Sequence, residues 1–346
     1  MFTLSQASYD TKELLKWGGI FIAGLVIIVV FIQMFLMVKE IIFPTPPPKP
    51  TVAFGKLDPQ LFPINVNNKK FTYKINTLSG YLPAFDNQIK VYKIKTFTPD
   101  LLSLQSATAK VAVVGFTANP IQLSNTSYQW NNTTQFGLSQ SIKMDIVDDN
   151  FTLASDFLSN QSALSGALSK EAATITAAND YLSQINSSPA DIDSTKTQTS
   201  FFAIQNSVLM PATSLANAQA IRVDFFQKDV NSLPIVYEQP NLSDINVLVG
   251  PNDQIFQAQY FYQTPTKESA TYPIITSTQA YQELQSGNAY IASYDGTSTT
   301  VSITDASLAY YMSSQNQSYL MPVFVFQGSD NFTAYVPAVT DGLINK

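Results

Sequence analysis

The stretch "SIKMDIVDDNFTLA", residues 141–154, shows most directly which kind of fold this chain adopts. Apolar and polar residues alternate over 142–146, which is the period of a β-strand with one buried face. The pair Asp149 and Asn150 follows, and these two residue types favour the backbone of a hairpin turn. Residues 151–154 then resume a strand-like pattern. The stretch therefore predicts an antiparallel β-hairpin.

The tetrapeptide "DNFT" of this hairpin occurs a second time at residues 330–333, again after a run of strand-forming residues. In both copies the Asp-Asn pair would form the turn, and Phe151 or Phe332 would begin the return strand. We interpret the repeat as a common local solution or as a distant duplication. Chance is the alternative, because the chain is rich in Asn and Thr.

Strand-like patterns continue on both sides of the first hairpin. Alternation and β-branched or aromatic residues predict further strands at residues 71–75, 89–95, 126–132, 246–250, 254–263, 289–294, 306–312, 319–327 and 332–339. These runs separate into an earlier and a later group. We predict two antiparallel sheets, one for each group.

Three helices are predicted among these strands, in addition to a short capped helix that runs into a strand within residues 211–226. The first begins with a Thr98 cap and Pro99, and the second lies in the alanine-rich segment 162–185. The third has Thr276 and Gln279 spaced for a capping box and Gly287 as its stop. The predicted fold class is thus α+β, with two units that each combine an antiparallel sheet with a helix.

Composition excludes several classes of site. The 346 residues include no cysteine, no histidine and one arginine, Arg222. A disulfide framework, a thiol nucleophile, a histidine base and a zinc site built on histidine or cysteine are therefore excluded. The net charge of −6 gives no bias towards nucleic acid, and charged residues make up only 13% of the chain.

No pattern of catalytic or metal-binding residues stands out. The chain has no Ser-x-x-Lys dyad. Four aspartates lie close together in sequence but lack the glycine and alternation of a calcium loop, namely Asp145, Asp148, Asp149 and Asp156. Asp191 and Asp193 are expected in a solvated loop. We predict a noncatalytic protein without cofactor or metal, while a carboxylate pair from distant segments stays open as a hydrolase site.

The strongest single signal is the apolar run at residues 17–38, which contains no charged residue. At about 1.5 Å per residue it would span roughly 30 Å, the thickness of a bilayer's hydrocarbon core. The run is too long for the core of a cleaved signal peptide, and no small-x-small cleavage site follows it. We predict an uncleaved signal anchor, with a short cytoplasmic tail and an extracytoplasmic C-terminal region.

A proline-rich stretch, "FPTPPPKP", follows at residues 43–50. Proline fixes φ and favours the extended polyproline II conformation, so the stretch predicts a semi-rigid spacer next to the membrane. Docking into an aromatic groove of another protein is the alternative.

Charge is distributed unevenly along the chain. Residues 57–110 carry seven lysines against three aspartates, whereas residues 236–346 carry nine acidic residues against two lysines. The basic segment is a candidate contact for anionic lipid headgroups or wall polymers. The alternative is that its lysines only solvate a pair of strands. The candidate contact residues are Lys69, Lys70, Lys74, Lys90, Lys93 and Lys95.

Nine asparagines stand in N-x-S/T sequons, as expected of an external domain but also of an Asn- and Thr-rich composition. They are candidate glycosylation sites only in a cell with an N-glycosylation system. The nine are Asn125, Asn131, Asn132, Asn150, Asn160, Asn186, Asn241, Asn316 and Asn331.

The last 75 or so residues resemble extracytoplasmic PepSY-like domains, including those of membrane-anchored YycH/YycI-type regulators of a bacterial wall-sensing kinase. The shared pattern is the capped helix "TSTQAYQELQSG", the tyrosine-bearing strand "LAYYM", the proline-bearing strand "LMPVFVF" and a return strand. The resemblance implies a noncatalytic domain that acts by binding partners or peptides, and it assigns no binding residue.

Together these observations predict a single-pass membrane protein whose extracytoplasmic region binds or regulates other components of the cell envelope. Its partners would be the membrane and another envelope protein. A surface-structural or adhesive protein is the alternative. The predicted segments are a tail and signal anchor (1–43), a linker (44–60), an α+β domain with the alanine-rich helix (61–235) and a PepSY-like α+β domain (236–346).

Overall fold

The computed structural model describes residues 4–42, 48–64, 70–185 and 187–345. The chain forms two compact units, Met1–Lys49 and Pro50–Lys346. Helix α1, Leu4–Ile42, forms most of the first unit. Its segment Lys16–Leu36 has a mean hydropathy of 2.8 and is long and apolar enough to cross a membrane. The predicted apolar helix is confirmed, and it is compatible with a membrane anchor or a signal sequence.

The second unit is a mixed α+β structure dominated by two β-sheets. One sheet has nine strands, all antiparallel to their neighbours, in the order β3-β4-β5-β6-β12-β11-β9-β7-β8. Its strands are β3 (Ile121–Gln122), β4 (Ser127–Thr133), β5 (Ser139–Asp145), β6 (Phe151–Ser155), β7 (Gln198–Gln205), β8 (Val208–Pro211), β9 (Ala220–Asp224), β11 (Ile245–Val249) and β12 (Ile255–Tyr260).

Two helices cover one face of the nine-stranded sheet, α2 (Ser103–Val113) and α3 (Glu171–Gln184). Strand alternation places apolar side chains on this face, and Trp130 of β4 is fully buried there. Ala107 of α2 and Ala178 of α3 are also fully buried, because small residues let each helix approach the sheet closely. This layer forms the larger core.

The second sheet has eight strands around the central path β1-β15-β16-β17-β14. Strands β10 and β1 both pair in parallel with β15, while β2 lies between β13 and β16. Its strands are β1 (Thr72–Ile75), β2 (Gln88–Ile94), β10 (Ile235–Val236), β13 (Pro265–Pro273), β14 (Tyr290–Ser293), β15 (Thr300–Tyr311), β16 (Tyr319–Gly328) and β17 (Phe332–Pro337).

Helix α4 (Ser277–Ser286) packs on the eight-stranded sheet through Ala280 and Leu284. Its ends are those predicted from sequence. Thr276 and Gln279 form the reciprocal capping box, and Gly287 ends the helix with φ of +85°. All the signals that define this helix lie within a dozen residues, so local sequence suffices to place it.

The other two predicted helices begin later than expected. Helix α2 begins at Ser103 rather than after Thr98, because the Asp100 side chain accepts the backbone N–H of Leu102 in a turn before it. Helix α3 begins at Glu171, so residues 162–170, more than the first third of the alanine-rich segment, are not helical. Leu164 of that segment packs instead into a separate apolar cluster.

Sheet membership does not follow the order of the chain. Strands β1 and β2 come early in the sequence, yet they pair with β15, β13 and β16 near its end. Strands β11 and β12 come after residue 236, yet they lie in the nine-stranded sheet. The chain therefore crosses between the sheets several times, and both sheets draw strands from either side of residue 235.

Both copies of "DNFT" form hairpin turns, and Phe151 and Phe332 begin the return strands as predicted. The backbones of the two turns differ. Asp330 and Asn331 both have positive φ, which is the geometry of a two-residue type I′ turn. In the first copy only Asp149 has positive φ, within a longer loop. The shared tetrapeptide thus serves two different turns.

Candidate functional site

Three adjoining cavities lie where the two sheets meet, and we call them the junction cleft. Their volumes are about 350, 330 and 290 Å³. The first two share Asp145, Asp148 and Asn316, and the last two share Phe261 and Ser314. Cavities of this size between packed layers are typical ligand sites in proteins.

Both sheets contribute to the walls of the junction cleft. The β5–β6 turn of the first hairpin provides Asp145 and Asp148, and the loop between β15 and β16 provides Ser314 and Asn316. The chain leaving β2 adds an apolar and cationic wall that includes Lys95 and Phe97, and the Lys95 ammonium lies 4.6 Å from the centre of the Phe97 ring. The cleft therefore offers carboxylates opposite a mixed wall.

A network of buried amides holds the cleft loop in place. Gln263 donates its Nε2–H groups to the carbonyls of Ser313 (2.8 Å) and Gln315 (3.0 Å), and its Oε1 accepts the N–H of Gln317 (2.9 Å). Gln227 donates in turn to the Gln263 carbonyl. Buried polar groups that are all paired specify one conformation, so the loop is preorganised.

Asp191 belongs to the same network, which corrects the prediction that it only solvates a loop. Its carboxylate accepts hydrogen bonds from Gln227 Nε2 (2.9 Å) and from the Tyr262 hydroxyl (2.8 Å). Burial raises the pKa of Tyr262 to about 12, so this hydroxyl stays a donor at neutral pH. Asp193, by contrast, accepts from Thr195 in an exposed turn, as predicted.

The third cavity contains two carboxyl groups. Glu238 accepts the hydroxyl (2.6 Å) and the N–H (3.3 Å) of Ser314 at one oxygen. Asp244 is 9% exposed, and its Oδ2 is buried without a hydrogen-bond partner among the described residues. Burial, followed by the negative charge of Glu238, raises the pKa of Asp244 to about 7, while Arg222 opposes the shift.

The four clustered aspartates do not converge on one point. Asp145 accepts from Thr126 (2.6 Å), Asp148 from Asn316 (2.9 Å) and Asp156 from the Ser139 N–H (2.9 Å). Asp149 forms an ion pair with Lys110. Within the described ranges, no group of three or more acidic residues could hold a metal ion. These carboxylates act as hydrogen-bond acceptors that shape turns.

A second concave surface lies on strands β4, β5 and β6, and we call it the polar groove. Its volume is about 790 Å³. Nine of its twelve lining residues carry an amide or a hydroxyl, and Asp156 is the one charged residue among them. Asn131 of β4 faces Ser141 of β5 across the strands. The groove thus presents neutral donors and acceptors.

The candidate lysines divide into two groups. Lys70 and Lys74 lie at β1, beside the Thr300 end of β15, whereas Lys90, Lys93 and Lys95 belong to β2 or follow it. The first group lies beside the part of β15 where Ile303 is opposite Gly328, the last residue of β16. In the second group Lys93 is opposite Tyr319, the first residue of β16, so the two groups lie near opposite ends of this strand. At about 3.3 Å per residue that separation is roughly 30 Å. All five are exposed, and Lys69 lies outside the described residues.

The sequons also differ in accessibility. Asn150 is buried, and its Oδ1 accepts the N–H of Tyr262 (2.9 Å), so its side chain is engaged in the fold. Asn132 and Asn160 are half-buried, and Asn186 lies outside the described residues. The exposed members are Asn125, Asn131, Asn241, Asn316 and Asn331.

Comparison with known proteins gives little information. No family model matches the sequence, and no curated protein matches it. Among solved structures, an uncharacterized protein from Eubacterium rectale ATCC 33656 is similar at 14% identity with a TM-score of 0.40. The similarity covers 80% of this chain and 90% of that chain. The resemblance to PepSY-like domains stays a prediction.

Sequence reasoning named Asp145, Asp148, Lys95 and Asn316 for other roles, but it did not predict that they line one cleft, and it missed the residues that hold the cleft in place. Gln227 and Gln263 are separated widely in sequence and belong to no motif. Asp244 and Glu238 lie near each other in sequence, but two acidic residues in a polar segment do not indicate that either one is buried. Another usable signal was "DNFT", because its first copy lies in a cleft wall.

Proposed function

We propose that this protein is a noncatalytic, membrane-anchored binding protein of the cell envelope, acting as a regulator or scaffold. In this proposal α1 is an uncleaved signal anchor, the proline-rich stretch is a spacer, and the unit Pro50–Lys346 lies outside the cytoplasm. The predicted resemblance to PepSY-like domains, which act by binding, is consistent with this role. We also propose a distant duplication of an α+β unit, of which the two copies of "DNFT" would be the trace.

The observation that carries the proposal is the junction cleft. Its walls come from both sheets, and the Gln263 network fixes its central loop. Preorganised cavities between rigid elements lose little entropy when a partner binds. The structure therefore favours binding of a partner segment along the cleft.

The lining indicates the chemistry of that segment. Asp145, Asp148 and Glu238 place carboxylate oxygens along the cleft, and Phe97 and Phe261 add aromatic surface. Lys95, Lys143 and Arg222 also line the cleft, so an extended polypeptide with apolar side chains and charged side chains of both signs would match the lining. We propose that such a segment belongs to another envelope protein.

Copurification from gently solubilised membranes tests this function. Asn316→Trp would fill two adjoining cavities, because Asn316 is exposed and lines both. Gln285→Trp is the matched control, since Gln285 is exposed on α4. The proposal is supported if a partner copurifies with both the wild type and Gln285→Trp, and its recovery with Asn316→Trp is at least about tenfold lower. Equal recovery with all three chains would refute binding in the cleft.

The alternative function, adhesion through glycans, is favoured by the polar groove. Amides and hydroxyls are the donors and acceptors that pair with sugar hydroxyl groups, and the groove is nearly free of charge. A panel of neutral oligosaccharides, titrated against wild type and Ser141→Trp, tests this function. Binding that Ser141→Trp abolishes would support adhesion, and no binding to any member would exclude neutral glycans of that panel.

A further inference from the structure

A short turn after β1 is fixed by its own hydrogen bonds. The N–H of Gly80 bonds to the carbonyl of Thr77 (3.0 Å), and Gly80 has φ of +75°, which favours glycine. The hydroxyls of Thr77 (2.8 Å) and Ser79 (2.9 Å) both donate to the carbonyl of Tyr81. We call residues 77–81 the Leu78 turn. Its backbone holds one conformation without help from a core.

This turn displays apolar side chains to solvent. Leu78 is 109% exposed and Tyr81 is 79% exposed, although the next apolar residues, Leu82 and Phe85, pack into the core of the eight-stranded sheet. A fixed turn that keeps a leucine and a tyrosine in water gains no stability from them. Such side chains contribute favourable free energy only when they are buried in an apolar phase or against a partner.

The sequence before the turn is basic, and the acidic residue that follows on the neighbouring strand is Asp305, exposed two residues beyond the Ile303 that pairs with Ile75. No acidic residue occurs between Asp58 and Asp86, whereas Lys69, Lys70 and Lys74 lie in that interval. Lys70 and Lys74 are exposed, and neither forms an ion pair with another described residue. An apolar tip preceded by two exposed lysines matches the boundary between headgroups and acyl chains of an anionic bilayer.

We propose that the Leu78 turn docks on an anionic lipid bilayer, with Leu78 and Tyr81 entering the interface and Lys70 and Lys74 contacting headgroups. The proposal rests on the proposed membrane anchoring, which keeps this unit close to a bilayer. A soluble polyanion would satisfy the lysines but would give Leu78 no apolar environment. The docked turn would restrict the orientation of Pro50–Lys346 relative to the membrane surface.

Single-cysteine labelling tests the docking, because the chain contains no cysteine of its own. The full chain carrying Leu78→Cys is labelled with an environment-sensitive fluorophore and reconstituted in nanodiscs. One set of discs contains phosphatidylglycerol and phosphatidylcholine, and the other contains phosphatidylcholine alone. The matched control is Val208→Cys, since Val208 is also apolar and 52% exposed but lies at the edge of the other sheet.

The expected result is a blue shift and protection from an aqueous quencher for the label at position 78 in anionic discs only. Adding Lys70→Gln and Lys74→Gln should lower the docked population, because each lysine near the surface contributes about 1 kcal/mol, or roughly fivefold in affinity. Tyr81→Ser should lower it as well. An equal shift at position 208, or no shift at position 78, would overturn the proposal.

The outcomes separate docking from anchoring. If anchoring fails, the chain does not remain with the discs on size-exclusion chromatography, and unanchored chain is then mixed with anionic vesicles to measure docking directly. If docking fails, the chain remains with the discs but the label at position 78 stays in water. A shift produced by a soluble polyanion without lipid would overturn the bilayer as the occupant.

Discussion

Replacing Asp244 by asparagine should stabilise the protein at alkaline pH and leave its stability at acidic pH nearly unchanged. Asp244 lies in the third cavity of the junction cleft, and its buried Oδ2 has no hydrogen-bond partner among the described residues. Burial and the neighbouring Glu238 raise its pKa from 3.8 to about 7. The neutral carboxyl is therefore the form that the fold prefers, and asparagine has nearly the same shape.

The sign and the magnitude follow from proton linkage. Below pH about 4, Asp244 is protonated in both the folded and the unfolded chain, so its contribution to stability is fully present. As the pH rises, the unfolded chain loses this proton first, and the contribution is lost progressively until the pH passes about 7. At 1.36 kcal/mol per pKa unit the loss is on the order of 4 kcal/mol.

Urea unfolding of the full chain in detergent micelles, followed by near-ultraviolet circular dichroism at pH 4 and pH 8, measures this effect. We compare the free energy of unfolding of Asp244→Asn with that of the wild type at each pH. The difference in favour of Asp244→Asn should be larger at pH 8 than at pH 4 by on the order of 4 kcal/mol. Asp305→Asn, at an exposed position of β15, is the control and should show no such difference. A pH-independent difference between Asp244→Asn and wild type would refute the reasoning.

Three further substitutions test the fold and the cleft, each by its free energy of unfolding. Gln263→Leu unpairs three backbone groups of the cleft loop and should therefore cost about 2–3 kcal/mol. Amide hydrogen exchange at residues 313–317 should become faster, and unchanged exchange would contradict the network. Thr276→Ala removes the capping box and should cost about 1 kcal/mol, whereas Thr276→Ser should cost little if the hydroxyl is the cause. Gly328→Ala brings a Cβ to 2.7 Å from the carbonyl oxygen of Ser302 and should cost about 1–3 kcal/mol. The control Gly342→Ala should be nearly neutral, because its Cβ meets nothing within 4 Å. Equal effects of the two substitutions would argue against the predicted clash.

Features that depend on neighbouring residues were predictable from the sequence. The α4 ends at Thr276 and Gly287 and the hairpin returns at Phe151 and Phe332 all follow from spacing within a few residues. The start of α2 was not predictable in this way, because the segment 94–99 turns aside to form a cleft wall. Local capping signals compete there with tertiary packing, and packing decides the outcome.

Pairing between distant strands could not be predicted from the sequence, for a different reason. Strand β1 pairs in parallel with β15, and β2 enters between β13 and β16, although more than 170 residues separate the partners. Alternation identifies a strand and its buried face but not its neighbour. The junction cleft arises from those pairings, so its residues acquire their arrangement only in the folded chain.

Site-specific photo-crosslinking in native membranes tests the central claim, that the junction cleft binds a segment of another envelope protein. A photoreactive phenylalanine analogue is placed at Asn316, where two cavities meet, and in a second chain at Gln285 on α4. Our account predicts that one membrane or envelope protein is crosslinked from position 316 and not from position 285. No crosslink from position 316, or the same products from both positions, would contradict it.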